Sequence, residues 1–231
     1  MLEFVDFSLK FKDKDKLVTV VNNLNFKVEK GERFALVGES GSGKSVTAMS
    51  VLRLLPEAIV EGKIYWNNLD LLSKDTDIRA IRGKKISMIF QEPMSALNPV
   101  YTVGEQIFEA LNHLTDLNVE KKNKKVLELL ELTGIDEPSR RAQCYPHELS
   151  GGQQQRVLIA KSLVLKPRII IADEPTTSLD VTTQKGILDL LKNLVNQDGI
   201  SLLLITHDLA VLAQCAHRVA IMKSGEILEI G

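Results

Sequence analysis

One eight-residue stretch constrains the fold of this chain more than any other: Gly38-Glu39-Ser40-Gly41-Ser42-Gly43-Lys44-Ser45. The segment Arg33–Val37 precedes it as a short, mostly apolar run of the kind that forms a buried strand. Residues 45–55 place apolar side chains at helical spacing, and Pro56 ends the pattern. The sequence therefore predicts a strand, a glycine-rich loop and a helix in direct succession.

This arrangement suits a triphosphate. Glycines let backbone N–H groups point into the loop, and the helix N-terminus adds a partial positive charge. The spacing G-x-x-x-x-G-K-[ST] is the P-loop pattern, in which Lys44 reaches the β- and γ-phosphates and the Ser45 hydroxyl binds Mg²⁺. An ordinary glycine-rich turn is the alternative, and the strand and helix patterns around it argue against that. The residues predicted to contact nucleotide here are Gly38, Glu39, Ser40, Gly41, Ser42, Gly43, Lys44, Ser45 and Val46.

A second apolar run, residues 169–172, ends in two acids, Asp173 and Glu174. A buried parallel strand reads as a continuous apolar run, and open α/β sheets bind ligands at the carboxyl ends of such strands. We therefore expect Asp173 to hold Mg²⁺ through water and Glu174 to act as a general base on the attacking water. Two solvated acids before a proline turn are the alternative.

Two further apolar runs end in polar residues. Residues 86–90 lead to Gln91, and residues 202–205 lead to Thr206 and His207. Gln91 is a candidate ligand of the metal or of the attacking water, and His207 a candidate partner of the γ-phosphate. A structural role is the usual one for a lone histidine, but four strands that end in useful residues favour one shared site. The predicted catalytic set is Lys44, Gln91, Glu174 and His207, and the predicted metal set is Ser45, Gln91 and Asp173.

The stretch Leu149-Ser150-Gly151-Gly152-Gln153-Gln154-Gln155-Arg156 is the most discriminating segment. Ser150 is placed as a helix N-cap with Gln153 at the capping-box position, and the helix is expected to run to about residue 165. The glycines leave its first N–H groups uncovered, which predicts a second anion site at Ser150, Gly151, Gly152 and Gln153. One nucleotide does not need both sites, so two copies that face each other are expected to share them.

This segment resembles the signature motif of the ATP-binding-cassette (ABC) ATPases, and the resemblance covers essentially the whole chain. The other family motifs follow in order: the P-loop, the Q-loop at Gln91, the Walker B acids Asp173 and Glu174, the D-loop Ser178-Leu179-Asp180 and the switch histidine His207. The resemblance implies an Mg²⁺-dependent ATP hydrolase in which two cassettes close head to tail around two ATP molecules. It adds Asp180 to the residues expected near the nucleotide.

The same resemblance implies an α/β fold: a P-loop (RecA-like) ATPase core with an N-terminal antiparallel β part and an inserted α-helical signature subdomain. The expected boundaries are 1–90 and 161–231 for the core with its β part, and 91–160 for the helical part. Local patterns agree with this division. Residues 17–21 and 24–28 alternate as strands, and Val126, Leu129, Leu130 and Thr133 form a helical stripe that Gly134 ends.

The family also stacks adenine on an aromatic side chain near the N-terminus. Phe11 is our candidate for that residue, while Phe4 and Phe7 are assigned to the core.

Finer features concern partners. Residues 38–47, 90–99 and 145–149 resemble ATP-binding subunits of dipeptide, oligopeptide and nickel importers. This resemblance implies a second cassette, identical or homologous, two membrane permease subunits and, indirectly, an extracytoplasmic solute-binding protein. It also implies a peripheral position on the cytoplasmic face of the membrane. The sequence leaves open whether the cassette pair is a homodimer or a heterodimer.

Composition narrows the alternatives. The net charge of −1 indicates no global attraction to nucleic acid, and no apolar run approaches the roughly 20 residues of a membrane span. Cys144 and Cys215 lie far apart and are predicted to be reduced thiols.

A DNA-repair cassette would need a long inserted coiled coil, and a ribosomal one usually carries two cassettes in one chain. An exporter subunit stays open, because the permease decides the direction of transport.

Overall fold

The computed structural model describes residues 1–14, 16–113, 117–177, 179–208 and 215–231. The strands are β1 Leu2–Asp13, β2 Lys16–Val28, β3 Arg33–Val37, β4 Ile59–Trp66, β5 Leu69–Asp70, β6 Ile86–Ile89, β7 Ile169–Asp173, β8 Ser201–Thr206, β9 Arg218–Lys223 and β10 Glu226–Ile230. The helices are α1 Lys44–Val51, α2 Pro93–Ala96, α3 Val103–Leu111, α4 Val119–Leu132, α5 Pro138–Arg141, α6 Gly151–Leu163 and α7 Val181–Asp198. Short 3-10 helices span Ile78–Ala80 and Pro146–Glu148.

The strands form two sheets. An antiparallel sheet has the order β2-β1-β4-β5, and a larger sheet has the order β10-β9-β3-β8-β7-β6. Within the larger sheet β9, β3, β8, β7 and β6 are parallel, and β10 is antiparallel to β9. Val37 of β3 pairs with Thr206 of β8, and Asp173 of β7 pairs with Ile205. This register brings the carboxyl ends of three parallel strands to one edge, where such sheets bind ligands.

Both faces of the parallel sheet are covered. Ile170 and Leu202 face a cluster that also contains the buried residues of α3, α4, α6 and α7. Ile169, Ile171 and Leu203 face a second cluster, built with α1 and the antiparallel sheet. Because every residue of β7 is buried, its sequence reads as one continuous apolar run up to Asp173.

The helical patterns of the sequence are confirmed at α4 and α6. Val126, Leu129 and Leu130 are buried on one face of α4, and Gly134 follows with a φ of +74°. The predicted capping box of α6 is present, and the helix ends at Leu163. It therefore crosses the predicted subdomain boundary at residue 160. Among the described residues, none of the helices combines the length and the apolar character needed to cross a membrane.

Two predicted boundaries are wrong. Helix α1 ends at Val51, short of the predicted residue 55, because the chain turns at Arg53, which has a φ of +48° and donates to the Leu71 carbonyl. Residues 17–21 and 24–28 belong to one strand, β2, which continues through Asn23 at a φ of +50°. The register shifts between β1 and β2 absorb this irregularity, which alternation along the sequence alone does not reveal.

Candidate nucleotide-binding site

The loop between β3 and α1 has a backbone that side chains would obstruct. At Gly38 an added Cβ would lie 2.0 Å from the carbonyl oxygen of Met222. Gly43 has a φ of +102° and is the N-cap of α1, with no side-chain hydrogen bond to cap the helix. The first N–H groups of α1 are thus not covered by a capping side chain. This is the geometry that binds an anion at a helix N-terminus.

Lys44 lies at the centre of this loop. Its side chain is buried, and its Nζ donates to the carbonyl oxygens of Gly38 and Glu39, at 2.8 Å each. Burial lowers the pKa of Lys44, while the nearby carboxylates of Glu174 and Asp173 raise it in part. The ammonium group is therefore oriented by the loop itself and can exchange these carbonyls for phosphate oxygens.

Ser45 and Asp173 place two hard oxygens side by side. Oγ of Ser45 donates to Oδ1 of Asp173 at 2.9 Å. Burial raises the pKa of Asp173, and the Ser45 hydrogen bond opposes that effect. A buried carboxylate beside a hydroxyl fits Mg²⁺, which binds proteins through one or two carboxylates and takes further ligands from phosphates and water. No group of three or more His, Cys, Asp or Glu side chains suited to a metal exists within the described part of the chain, so phosphates and water would have to complete the shell.

Glu174 is the meeting point of three other side chains. Its Oε2 accepts from Nε2 of Gln91 at 3.1 Å and from Oγ1 of Thr177 at 2.9 Å. Nδ1 of His207 lies 3.1 Å from Oε1. Glu174 itself has a φ of +44°, and its backbone N–H donates to the carbonyl of Ile205. A non-glycine residue in the left-handed region is strained, and such strain is often found at functional sites.

These groups line one cavity of about 810 Å³. Its walls are formed by Val20, Val37, Gly38, Glu39, Ser40, Gly41, Gly43, Lys44, Ser45, Val46, Gln91, Glu174, Thr177 and His207. This volume lies in the range of ligand sites for molecules of nucleotide size. The structure thus brings together most of the residues that the sequence predicted from four separate strands.

Three of the cavity residues, Val20, Val37 and Thr177, were not among those that the sequence predicted for the site. Thr177 stands three residues after Glu174, which is the one local signal that could have found it. Val20 reaches the cavity from β2 of the antiparallel sheet.

Phe11, the predicted adenine partner, is a half-buried residue of β1 that packs against the second cluster, and it is not among the described residues that line the cavity. Its role stays a prediction.

The predicted second anion site lies elsewhere on the chain. The Ser150 N–H donates to Oε1 of Gln153 at 3.1 Å, and the Gln153 N–H donates back to Oγ of Ser150 at 3.4 Å. Gly151 and Gly152 form the first turn of α6 between them. None of these four is among the described residues that line the P-loop cavity.

Asp180 of the D-loop also lies outside the wall of the cavity. It is the N-cap of α7, and its carboxylate accepts from the backbone N–H and the hydroxyl of Thr183. The hydrogen bonds from Thr183 lower the pKa of Asp180. Ser178, which the sequence placed in the same loop, lies outside the described residues.

Strand β3, the P-loop and α1 follow one another, and Asp173 ends β7, which is separated from β3 by β8 in the same parallel sheet. This arrangement defines a P-loop nucleotide-binding protein. The chain belongs to the ABC transporter family, because the sequence model of that family matches residues 21–177. The predicted family and the predicted α/β P-loop fold are therefore confirmed.

Curated relatives and solved structures agree. The chain is 50% identical over 218 residues to the dipeptide transport ATP-binding protein DppD of Bacillus subtilis, covering 93% of this chain and 65% of that protein. It is 45% identical over 235 residues to the oligopeptide transport ATP-binding protein OppD of the same organism, covering 100% and 66%. The chain thus spans slightly less than two thirds of the length of these two relatives. A dimeric post-hydrolysis state of the ATP-binding cassette MJ0796, bound to ADP and Pi, is similar with a TM-score of 0.88 and 32% identity, covering 100% of this chain and 98% of that one.

Proposed function

We propose that this chain binds and hydrolyses ATP as one of two cassettes that close head to tail, and that this reaction drives uptake of peptides. The observation that carries the proposal is the convergence of Gln91, Thr177 and His207 on the Glu174 carboxylate, in the wall of the P-loop cavity. A carboxylate held in this way can orient a water molecule and accept its proton beside a γ-phosphate. Family membership and the similar cassette bound to ADP and Pi support ATP as the nucleotide.

Each group has a distinct part in the proposed reaction. The N–H groups of the P-loop and the Lys44 ammonium bind the β- and γ-phosphates. Ser45 and Asp173 would hold Mg²⁺, which when bound neutralises charge on those phosphates. Glu174 orients the attacking water, while Lys44 and His207 stabilise the charge that develops on the γ-phosphate. Gln91 is proposed as a further contact of the metal or the water.

The signature turn motivates the cassette pair. Ser150 and Gln153 cap the start of α6, and the two glycines between them, Gly151 and Gly152, carry no side chain. None of these four residues is among the described residues that line the chain's own cavity. A second cassette, identical or homologous, would bring its own signature turn to the ATP on this P-loop, and Asp180 would face the same partner. The dimeric state of the similar cassette MJ0796 supports this assembly. Hydrolysis removes the γ-phosphate between the halves, so the pair opens.

Peptides are the favoured cargo because both curated relatives named above are peptide-transport proteins. We propose two membrane permease subunits and an extracytoplasmic solute-binding protein as further components, with the cassettes on the cytoplasmic face of the membrane. Nickel is a second cargo that the sequence resemblance suggests. An exporter subunit and a soluble cassette ATPase are the alternative assemblies.

Capture of the tagged chain from gently solubilised native membranes, with mass spectrometry of its partners, tests this assembly. Recovery of two integral membrane proteins and a second cassette is the expected result. Recovery of ribosomal or DNA-repair proteins alone would leave the ATP chemistry in place and overturn the proposed importer.

Glu174→Gln tests the chemistry. We expect the variant to bind ATP as the wild type does and to hydrolyse it about 10²–10⁴-fold more slowly, because the amide cannot act as a base. Phosphate release and nucleotide binding are the two measurements. Glu92→Gln, an exposed carboxylate next to the Q-loop, is the matched control and should keep wild-type turnover. Turnover of Glu174→Gln close to that of the control would remove Glu174 from its proposed role.

A further inference from the structure

Helices α6 and α7 approach very closely where α6 begins. A Cβ added to Gly152 would lie 2.4 Å from Cγ2 of Thr183, whereas Cβ and Oγ1 of Thr183 would both be 3.6 Å away. A Cβ added to Gly151 would lie 3.4 Å from the side chain of Leu179. The methyl group of Thr183 thus occupies the space that a side chain at Gly152 would need. We call this contact between Gly152 and Thr183 the α6–α7 seam.

The hydroxyl group of Thr183 makes a hydrogen bond to the D-loop residue Asp180. Oγ1 of Thr183 donates to Oδ2 of Asp180 at 2.6 Å, and its backbone N–H donates to Oδ1 at 3.0 Å. Both carboxylate oxygens of Asp180 therefore accept hydrogen bonds from Thr183. Thr183 touches the signature turn with its methyl group and the D-loop aspartate with its hydroxyl group.

We propose that Thr183 is a positioning residue, which fixes Asp180 and the Gly151–Gly152 turn relative to each other. The two motifs that face the partner cassette then act as one unit. The inference rests on the proposed function, in which the signature turn and Asp180 meet a second cassette. Thr183 is not among the described residues that line the chain's own P-loop cavity, so it acts through its neighbours rather than on nucleotide.

The two branches of Thr183 can be removed separately. Thr183→Ser keeps the hydroxyl group and removes the methyl group, and Thr183→Val does the reverse. In the valine variant we expect the pKa of Asp180 to rise, because the strongest hydrogen bond that lowers it is lost. In the serine variant the pKa of Asp180 should stay low. Carboxyl-carbon NMR of Asp180 measures this without any nucleotide, and an unchanged pKa in the valine variant would overturn the hydroxyl half of the inference.

The seam is tested by a double-mutant cycle on ATP-dependent dimerisation, measured in chains that also carry Glu174→Gln. Gly152→Ala should weaken association at least about tenfold, because the new Cβ meets the Thr183 methyl group at 2.4 Å. When Thr183→Ser is added to Gly152→Ala, the methyl group is gone, and the new Cβ meets only the Cβ and hydroxyl oxygen of residue 183, both at 3.6 Å. This is an ordinary contact distance, so the second substitution should restore most of the association. Thr183→Val alone should cost about tenfold, as expected for loss of a hydrogen bond to a charged group.

Relative to the Glu174→Gln parent, the affinity of the single chain for ATP should not change in the Gly152 and Thr183 variants, because neither residue is among the described residues that line the P-loop cavity. Thermal melting confirms that each variant is folded, and Thr182→Val, on the exposed neighbour of Thr183, is the matched control that should associate normally. Equal impairment of Gly152→Ala with threonine or serine at position 183 would overturn the seam. Failure of the Glu174→Gln parent to associate in the presence of ATP, both with a second copy of itself and with the second cassette captured from native membranes, would overturn the proposed cassette pair itself, and with it the role of Thr183.

Discussion

At the scale of single residues, the burial of Asp173, a proposed Mg²⁺ ligand, has a cost in stability. Its side chain is almost fully buried and its partner is the neutral Ser45 hydroxyl group. Burial raises the pKa of Asp173 above the usual value of 3.8, so the folded chain binds a proton at this group more tightly than the unfolded chain does. The contribution of Asp173 to stability is therefore most favourable at acid pH, and it declines as the pH rises through the window between 3.8 and the raised pKa.

Asp173→Asn should for this reason stabilise the isolated chain at neutral pH. The amide oxygen can still accept from Ser45, and the buried charge is gone. For a chain of this size, each kcal/mol corresponds to about 2–4 °C in Tm. Melting curves at neutral and acid pH are the measurement, and the advantage of the variant should shrink as the pH falls and the wild-type carboxyl becomes protonated. Glu128→Gln, at an exposed carboxylate bonded to Lys125, is the control and should not raise the Tm. Equal Tm values for Asp173→Asn and wild type at neutral pH would contradict this account.

At the scale of elements, α3 and α6 begin with the same device. The Thr102 hydroxyl accepts from the Glu105 N–H and the Glu105 carboxylate accepts from the Thr102 N–H, as Ser150 and Gln153 do at α6. Each box satisfies two N–H groups that a helix start otherwise leaves without partners. Variants of the two capping boxes can be compared. The comparison separates the cost in stability of a lost helix cap from a role in the proposed cassette pair.

Thr102→Ala and Ser150→Ala should each lower the free energy of unfolding by about 1 kcal/mol, the usual cost of removing an N-cap side chain. Chemical denaturation measures that loss. ATP-dependent association should fall in Ser150→Ala alone, because Ser150 belongs to the signature turn. The same loss of association in both variants would show that Ser150 acts only as a cap.

At the scale of the whole molecule, the parallel sheet joins two hydrophobic clusters. The cluster that contains Leu130 of α4 continues through Ile170 to the sheet, and the opposite face of the sheet packs on the cluster that contains Trp66. The helical part shares its core with the sheet, so it is expected to unfold together with the rest of the chain.

Leu130→Ala should lower the free energy of unfolding by about 2–5 kcal/mol, because it leaves a cavity at a fully buried position. Trp66, the only tryptophan, reports unfolding on the far side of the sheet by its fluorescence, while far-UV circular dichroism reports helix content. Both transitions should shift by the same amount. Leu132→Ala, at an exposed position of the same helix, should shift neither. A Trp66 transition that stays in place while the helix signal moves would show that the two parts unfold separately.

Much of the site could be predicted because its signals are local. The glycine loop before Lys44, the two acids at the end of the apolar run 169–172 and the capping box at Ser150 each occupy a few consecutive residues. Backbone conformation and helix capping depend on residues that are close in sequence, so the structure of such stretches can be predicted from the sequence alone. The stripe on α4 is local for the same reason, since its spacing repeats with the helix.

Contacts between residues that lie far apart in the sequence could not be predicted, because they depend on how the elements pack. Val20 reaches the cavity through the pairing of β1 and β2, and the end of α1 depends on the turn at Arg53. The methyl group of Thr183 meets Gly152 because α6 and α7 pack side by side, which no spacing in the sequence encodes. The order of residues along the chain already shows which chemical groups follow each strand and helix. The register and packing of those elements determined which of the groups touch, because contacts across large sequence separations depend on the whole core.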